Sequence, residues 1–179
     1  VFTRELPFDA IDLLFFCTAH GDTRKFMETH ALPDELRIID LSADYRLDAP
    51  DNDFIYGLPE LNRKYIIRSK RVANPGCFAT AIQLALLPLA KNLLLNSEIH
   101  VHAITGSTGA GEKPSPTSHF SWRNDNISIY KPFNHQHLAE IRQSLSKLQT
   151  SFAAPINFIP VRGNFSRGIF ATLYLDCPV

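Results

Sequence analysis

Two short apolar runs on either side of a helix-forming segment constrain the fold of this chain most strongly. They are residues 11–17 (IDLLFFC) and 36–41 (LRIIDL), and residues 22–32 between them can form a helix. Neither run alternates with polar residues, which favours strands covered on both faces, as in a parallel sheet. A strand, a helix and a strand in this order form a right-handed crossover unit. The sequence therefore predicts an α/β fold whose ligands bind where the parallel strands end.

A turn in the middle of the chain places a cysteine at the start of a predicted helix. The apolar pair Val72-Ala73 is followed by Asn74-Pro75-Gly76, in which proline and glycine break regular structure. Apolar side chains then recur at helical spacing through residues 78–91. Cys77 is therefore predicted in the first turn of a helix, where unpaired N–H groups and the helix dipole favour a thiolate. We interpret Cys77 as a nucleophile; the alternative is a small buried apolar residue.

The second half of the chain has a different pattern, with several strands and two clear helices. The helices are predicted over residues 78–91 and 135–149, and Asn134 is a suitable cap for the second. Residues 48–60, rich in Asp, Pro and Asn, are predicted to form a surface loop. This pattern indicates an α+β domain after the parallel sheet. The strands of that domain are predicted at residues 98–105, 126–130, 156–161 and 169–176.

The charge balance and the cysteine count argue against several classes of protein. The 18 basic and 18 acidic side chains cancel, so there is no basic excess for binding nucleic acid or an anionic membrane. No apolar run approaches the roughly 20 residues of a membrane span. The 3 cysteines, an odd number, make no disulfide framework and fit a reducing cytoplasm. We expect a cytoplasmic protein without nucleic-acid or membrane partners.

A glycine-rich turn, residues 106–111 (GSTGAG), follows a predicted strand. It does not match a phosphate-binding P-loop, because Lys113 is followed by Pro114 rather than by Ser or Thr. Proline there also argues against the helix that a dinucleotide-binding fingerprint needs. Ser107, Thr108 and free backbone N–H groups can still form a nest for an anion, and the alternative is a plain flexible turn. The arginines that can clamp a phosphate or carboxylate are Arg46, Arg162 and Arg167.

Two His-x-His pairs are candidates for proton transfer or for metal binding. His135 and His137 start the second predicted helix, and a histidine near a thiol can accept its proton and, as imidazolium, stabilise the thiolate. His100 and His102 lie on one side of a predicted strand. The four histidines together form a candidate zinc site, although no Cys-x-x-Cys pair and no carboxylate at a diagnostic spacing supports it.

Five segments of the chain resemble, in the same order, the N-acetyl-γ-glutamyl-phosphate reductase family, which belongs with the aspartate-semialdehyde dehydrogenases. Asn74-Pro75-Gly76-Cys77, before an apolar helix, resembles the active-site segment of that family. Gly76 favours this family over the aspartate-semialdehyde dehydrogenases themselves, which usually have Asn before the cysteine. The other four segments are residues 41–46 (LSADYR, against SADFR), 56–60 (YGLPE), 106–111 (GSTGAG, against SGxSGAG) and 135–141 (HQHLAEI, against HRHxPEI). The departures from the family pattern are Tyr45, Thr108, Gln136 and Ala139.

The resemblance implies an enzyme of arginine biosynthesis that uses NADPH to reduce an acyl phosphate to a semialdehyde through a cysteine thioester. Cys77 would attack the acyl carbon and expel phosphate, and hydride from NADPH would give a thiohemiacetal that collapses to the semialdehyde. His135 matches the acid/base histidine of the family, with His137 as the alternative. The expected substrate contacts are Arg46, Ser107, Gly109 and Gly111, and the expected contacts to NADP are His20 and Asn74. The family also implies a homodimer or homotetramer. We expect no bound metal, because the histidines lack supporting cysteines or carboxylates.

The resemblance further implies a Rossmann-like parallel sheet followed by an α+β catalytic and dimerisation domain with a mixed sheet. We expect residues 1–73 to be a truncated NADP-binding domain and residues 74–179 to be the catalytic and dimerisation domain. The family's N-terminal glycine turn, which holds the cofactor pyrophosphate, and its C-terminal helix have no match here. The chain is therefore expected to be an excerpt that binds NADPH poorly by itself. The alternatives are another semialdehyde dehydrogenase of the superfamily and a non-catalytic oligomerisation module, and the acyl group, acetyl or succinyl, stays open.

Overall fold

The computed structural model describes residues 3–111 and 113–177. The chain divides into two compact units, Val1–Gly76 and Cys77–Val179. The first unit alternates strands and helices, as expected for a sheet of parallel strands, and the second combines longer strands with two long helices. Within the described ranges, no helix is both long enough and apolar enough to cross a membrane.

The first unit is built on a sheet of four parallel strands. Its elements are β1 (Leu13–Phe16), α1 (Asp22–Thr29), β2 (Arg37–Asp40), β3 (Ile55–Tyr56), α2 (Pro59–Ile66) and β4 (Arg71–Ala73). The strand order is β1-β2-β4-β3, and every pair is parallel. The strands end side by side at Phe16, Asp40 and Ala73. The predicted α/β fold with a parallel sheet is confirmed, and the loops after these strand ends form one polar edge.

The prediction of a surface loop over residues 48–60 is wrong in its second half. Ile55 and Tyr56 pair with β4 and form one edge of the parallel sheet. Phe54, just before them, is buried. A strand of 2 residues is too short to show a period, and the polar first half of the segment dominated its composition. Helix α2, which begins at Pro59, was not predicted either, because proline suits the first position of a helix as well as a turn.

The second unit is a mixed sheet with helices against one face. Its elements are α3 (Cys77–Lys91), β5 (Ile99–Thr105), α4 (Phe120–Arg123), β6 (Ser128–Ile129), α5 (His137–Leu148), β7 (Ile156–Arg162) and β8 (Ile169–Tyr174). The strand order is β6-β7-β5-β8, in which β5 and β7 are parallel and the two outer pairs are antiparallel. This confirms the predicted α+β unit with a mixed sheet.

The core of the second unit lies between the sheet and its two long helices. Alternate side chains of β5 and β7 are buried, among them Ile99 and Phe158. The Phe158 ring lies 5.1 Å from the ring of Phe78 in α3, and α3 packs against α5. Each large apolar side chain buried in this way contributes about 1.5–3 kcal/mol of hydrophobic stabilisation. The covered face of the sheet therefore fixes the position of the start of α3.

The second long helix begins later than its sequence predicts. Asn134 is not its cap: α5 starts at His137, and Gln136 precedes it with helical φ and ψ and no side-chain cap. Lys131 and Phe133 have positive φ, so the chain turns tightly before the helix. His135 therefore lies ahead of the helix, whereas His137 is its first residue. A good cap residue is common in turns as well, which is why Asn134 misled the prediction.

Candidate active site

Cys77 is the first residue of α3, just after the turn that follows β4. The residue is exposed, whereas Phe78 and Ala79 after it are buried. The predicted order of strand, turn and helix is confirmed, and the alternative of a buried cysteine is wrong. The first N–H groups of a helix have no partner within the helix, and together with the helix dipole they favour negative charge on a thiol at this point.

Cys77 lines a cleft of about 260 Å³ where β5 ends and β8 begins. Arg167 is the one charged side chain of this lining, and it is exposed. No carboxylate within residues 3–111 and 113–177 forms an ion pair with it. A guanidinium beside a thiol attracts anionic groups, so the cleft suits a substrate that carries phosphate or carboxylate. The remaining lining residues are Thr105, Gly106, Thr108, Gly109, Gly168 and Ile169.

The glycine-rich turn after β5 forms one wall of this cleft, but its backbone donors are already used. The N–H groups of Gly106, Ser107 and Thr108 donate to carbonyls in the loop between β7 and β8, over 2.8 to 3.2 Å. Those of Gly109 and Gly111 donate to carbonyls within the turn itself. The predicted nest of free N–H groups for an anion is therefore wrong. Among the predicted substrate contacts in the turn, Gly109 belongs to the lining of the cleft.

Gly106 allows the turn and the loop that carries Arg167 to approach closely. A Cβ atom at Gly106 would lie 2.5 Å from the carbonyl oxygen of Ser166 and 2.7 Å from the nitrogen of Arg167. Both are backbone atoms, so no side-chain movement can relieve the overlap. Glycine at this position is thus required for the packing that brings Arg167 to the cleft.

His135 is buried in an aromatic cluster of the second unit. Its ring lies 5.4 Å from that of Phe78, 5.5 Å from that of Phe158 and 4.6 Å from that of His137. Burial, aided by His137 and Lys131, lowers the pKa of His135 from its usual 6.5 to about 4. His135 is therefore neutral at pH 7, and the imidazolium role considered from its sequence does not apply to this arrangement.

The neighbouring histidine determines which nitrogen of His135 carries the proton. The backbone N–H of His137 donates to Nδ1 of His135 at 3.2 Å, so the neutral ring carries its proton on Nε2. His137 is also buried, and its Nε2 lies 4.0 Å from Oε1 of Glu140, one turn along α5. The two candidate acid/base histidines are thus in contact, but they differ. His135 can donate a hydrogen bond from Nε2, whereas His137 faces a carboxylate that can orient its ring.

Tyr130 belongs to the same cluster, and it was not predicted as a site residue. Its ring lies 5.7 Å from that of His135, and Cζ of Arg162 lies 4.7 Å from its centroid. Burial raises the pKa of Tyr130 to about 12, with a smaller contribution of the same sign from Cys77 and an opposite one from Arg162. A single tyrosine after a strand of 2 residues forms no motif, and only the fold brings it near the cysteine.

In the first unit, the predicted ligand residues lie where the parallel strands end. Arg46 is buried, and its Nε and Nη2 donate to the carbonyls of Asn74, at 2.8 Å, and Leu41, at 3.0 Å. Its guanidinium thus joins the loops that follow β4 and β2. His20 and Asn74 are exposed. Nδ1 of His20 accepts the N–H of Ala43 at 3.0 Å, which leaves Nε2–H of the neutral ring as a donor.

The N-terminus of α1, which lies at the same edge, already holds a carboxylate. The oxygens of Asp44 accept the N–H groups of Gly21, at 2.6 Å, and Arg24, at 3.0 Å. Negative charge is favoured at a helix N-terminus, and Asp44 occupies the position where such a helix can bind phosphate. In this unit α1 therefore offers no site for a cofactor phosphate.

The four histidines considered for zinc lie on opposite faces of the second sheet. His100 stacks on Tyr174 with the ring centroids 4.7 Å apart, on the face away from the helices. His135 packs against Phe158 on the covered face. Throughout the part of the chain that the structure describes, no three His, Cys, Asp or Glu side chains are grouped to hold a metal ion. The geometry therefore gives the zinc alternative no support.

Comparison with known proteins assigns both units to one family. The family model described as "Semialdehyde dehydrogenase, dimerisation domain" matches residues 77–178, and that described as "Semialdehyde dehydrogenase, NAD binding domain" matches residues 3–69. The chain belongs to the semialdehyde dehydrogenase family. This assignment covers both the parallel sheet of the first unit and the mixed sheet of the second. It also covers the cysteine at the start of α3.

Curated relatives carry a narrower name. The N-acetyl-gamma-glutamyl-phosphate reductase of Parabacteroides distasonis is 73% identical over 179 residues, which are 100% of this chain and 56% of that protein. The protein of the same name from Phocaeicola vulgatus is 71% identical, again over 100% of this chain and 56% of its own length. The chain thus spans about half the length of the curated relatives that it matches, 56% in both cases.

A solved structure supports the fold independently of these sequences. Aspartate semialdehyde dehydrogenase II from Vibrio cholerae superposes with a TM-score of 0.69 at 15% identity. The superposition covers 94% of this chain and 56% of that chain. Similarity at this level of identity shows the fold alone.

Proposed function

We propose that the protein containing this chain is an NADPH-dependent N-acetyl-γ-glutamyl-phosphate reductase of arginine biosynthesis, with Cys77 as its nucleophile. The observation that carries the proposal is the exposed cysteine at the start of α3, in a cleft whose one charged lining residue is Arg167. A thiol placed beside a cation suits attack on an acyl group that bears an anionic leaving group. The names of the relatives from P. distasonis and P. vulgatus supply the substrate.

The first step forms a thioester on Cys77. Its sulfur bonds to the acyl carbon, the bond from that carbon to the phosphate oxygen breaks, and inorganic phosphate leaves with the electron pair. Arg167 binds an anionic group of the substrate at the cleft, and its charge stabilises the departing phosphate. Ser107, Gly109 and Gly111 are the proposed contacts from the adjoining turn. Because their N–H groups are occupied, these contacts involve the Ser107 hydroxyl and the shape of the turn.

The two histidines divide the proton chemistry between them. His135 is the residue that the family resemblance indicates, and as a neutral ring with the proton on Nε2 it can stabilise an oxygen that becomes negative during the reaction. His137, whose Nε2 lies 4.0 Å from Oε1 of Glu140, is the alternative for taking the proton of the Cys77 thiol. A carboxylate that orients an imidazole is a recurring support for a general base.

When bound, a nicotinamide cofactor would supply the hydride that reduction of the thioester requires. His20 and Asn74, both exposed at the carboxyl edge of the parallel sheet, fit contacts to polar atoms of that cofactor. Nε2–H of His20 is an available donor, because Nδ1 is held by Ala43. Asp44 fills the N-terminus of α1, so that end of the helix would not hold the cofactor phosphates. Arg46 shapes the same edge by joining Asn74 to Leu41, and its direct contact with substrate stays a prediction.

The sheet of the second unit is the proposed contact with a second copy of the chain. We define its open face by Ile129, Phe170 and Tyr174, which are 61%, 69% and 64% exposed. Ile129 lies on β6, and Phe170 and Tyr174 lie on β8, the two outer strands of the sheet, on the face away from the helices. Large apolar side chains grouped on one exposed sheet face indicate a protein interface. The match to a dimerisation domain over residues 77–178 supports a homodimer, with a homotetramer as the alternative.

The test of this function is the reverse reaction in the full-length protein. Phosphate-dependent reduction of NADP by N-acetylglutamate semialdehyde is expected, and Cys77→Ser should lower it by about a thousandfold or more. Activity with aspartate semialdehyde instead would establish the rival dehydrogenase. Absence of both activities from folded, cofactor-binding protein would favour a non-catalytic oligomerisation module. Comparison of N-acetyl with N-succinyl substrates decides the acyl group.

A further inference from the structure

The turn that leads into His135 contains two residues in the left-handed region of backbone conformation. Lys131 has a φ of 44° and Phe133 a φ of 60°, and Pro132 lies between them. A residue other than glycine is strained in this region, because its Cβ atom crowds a neighbouring carbonyl oxygen. Such residues persist only where the surrounding structure holds them, and they are frequent at functional sites. Two of them directly before a proposed catalytic histidine indicate a role for the turn.

Backbone hydrogen bonds, rather than packed side chains, hold this turn. Phe133 is 60% exposed, and Lys131 is exposed as well. The N–H of Phe133 donates to the carbonyl of Phe158 at 2.8 Å, which fastens the turn to β7. The N–H of Asn134 donates to the carbonyl of Lys131 at 3.3 Å, which closes the turn on itself. The left-handed conformation is therefore held through the backbone, and the side chain at position 133 is not what requires it.

The hydrogen bond to Phe158 also links the turn to the surroundings of His135. The Phe158 ring is buried and lies 5.5 Å from the ring of His135. The same residue therefore anchors the backbone of Phe133 and packs against the histidine. Burial changes abruptly at this point, since residues 131–134 are exposed and His135 is buried. Only Asn134 separates Phe133 from His135, so the direction of the chain at Phe133 determines whether the histidine reaches the aromatic cluster.

We propose that Lys131 and Phe133 are positioning residues for His135, and that their left-handed backbone turns the chain so that the histidine ring enters the aromatic cluster. Both act through the backbone, so neither side chain needs to contact the substrate. The inference rests on the proposed role of His135 in the reaction, and it gives the strained turn ahead of α5 a function.

The test compares Phe133→Gly with Phe133→Val in the full-length protein. Both substitutions remove the ring, but glycine adopts the left-handed conformation freely and a β-branched residue adopts it least readily. Histidine labelled at its ring nitrogens is followed by NMR, and the signal of His135 is identified by its loss in His135→Gln. In Phe133→Gly, the pKa of His135 should stay at about 4, where burial holds it. In Phe133→Val, it should rise by at least about one pH unit as water reaches the ring. The kcat of Phe133→Val should fall about tenfold with little change in KM, and that of Phe133→Gly should stay within about twofold of the unsubstituted enzyme.

Leu93→Gly and Leu93→Val are the matched control pair. Leu93 belongs to the same unit, has a φ of 59° and is 59% exposed. It follows the end of α3, about 20 Å along the helix axis from Phe78, which contacts His135. At both positions the valine variant should unfold about tenfold more readily than the glycine variant, but only at position 133 should the His135 signal and kcat respond. Should Phe133→Val fail to fold, Phe133→Ala carries a smaller penalty, and its His135 signal should shift in the same direction.

The outcomes separate this inference from the proposed function. A His135 signal and a kcat that are the same in Phe133→Gly and Phe133→Val would overturn the inference and leave the reductase activity intact. Equal responses of the His135 signal at positions 93 and 133 would also overturn it, because they would indicate a general loss of stability. An unsubstituted protein without reductase activity would overturn the proposed function, and the His135 signal would still decide whether the turn positions the ring.

Discussion

The backbone N–H of His137 donates a hydrogen bond to Nδ1 of His135, over 3.2 Å, and so fixes the proton of the neutral His135 ring on Nε2. The bond forms because α5 begins at His137 while His135 lies in the turn before it. One histidine therefore determines the chemical form of the other. Both rings are buried; His135 stays neutral, and His137, in the helix, faces Glu140.

The low pKa of His135 predicts that the free energy of unfolding decreases in acid. Its folded pKa, about 4, lies below its usual 6.5, so between these values the unfolded state binds more protons than the folded state. Stability should fall as the pH drops from about 6.5 towards about 4 and should level off below that. Between pH 7 and pH 5, the free energy of unfolding should fall by about 2 kcal/mol more in the unsubstituted chain than in His135→Gln.

Urea unfolding followed by the fluorescence of Trp122 measures this effect, because Trp122 is the one tryptophan and lies in the second unit. His102→Gln is the control, since His102 is exposed on the same unit. An unfolding free energy whose pH dependence is the same with and without His135 would contradict the burial argument.

Arg167 should select anionic reagents at Cys77. Iodoacetate and iodoacetamide differ by one negative charge. The ratio of the iodoacetate rate to the iodoacetamide rate therefore measures the local electrostatic potential. Arg167→Gln should lower the ratio about threefold to fivefold, as expected for one charge several ångströms away in a partly solvated cleft. Arg142→Gln, which removes an exposed arginine from α5, should leave it unchanged. An equal ratio in all three proteins would remove Arg167 from the proposed anion site.

Gly106 and Gly109 should respond differently to alanine. A methyl group at Gly106 meets backbone atoms at 2.5 and 2.7 Å, and Gly106→Ala should cost about 1–3 kcal/mol and displace Arg167. At Gly109 the nearest atom is Oγ1 of Thr105, 3.1 Å away, and a side chain can adjust. Gly109→Ala should therefore cost within about 1 kcal/mol. Urea unfolding of both variants measures the two losses of unfolding free energy. Equal losses would contradict the close approach at Gly106.

The open face should control association of the chain. Phe170→Asp places a charge where a second copy would bury it, and the dimer should dissociate at least about a hundredfold more readily. Tyr65→Asp is a matched control in the first unit, because Tyr65 is 65% exposed and Phe170 69%. Sedimentation velocity over a range of concentrations gives the result. A Phe170→Asp protein that associates as tightly as the unsubstituted chain would exclude this face as the interface.

Local sequence was sufficient for the parts of the fold that depend on neighbouring residues. The start of α3 at Cys77 follows from Pro75, Gly76 and the apolar spacing after them. The parallel sheet follows from two unbroken apolar runs around a helix. In both cases residues close in sequence determine the structure. The spacing of apolar residues and the presence of turn-forming residues are therefore enough to predict it.

The features that the sequence analysis missed depend on contacts between distant residues. The N–H groups of the turn at residues 106–111 looked free, but the loop at residues 163–168 uses several of them. Likewise, Tyr130 and Arg162 meet only because β6 pairs with β7. Asp44 reaches the N-terminus of α1 across the parallel sheet edge. Such pairings are set by the packed fold and leave no local pattern.

The central claim is that Cys77 accepts the acyl group of an acyl phosphate, and one measurement tests it without the cofactor. The chain is incubated with N-acetyl-γ-glutamyl phosphate in the absence of nicotinamide nucleotide, and its peptides are analysed by mass spectrometry. We expect an N-acetylglutamyl adduct on the Cys77 peptide, formed with release of phosphate, and none on the peptides of Cys17 or Cys177. Folded protein with Arg167 intact that shows no adduct on Cys77, or equal labelling of all three cysteines, would contradict it.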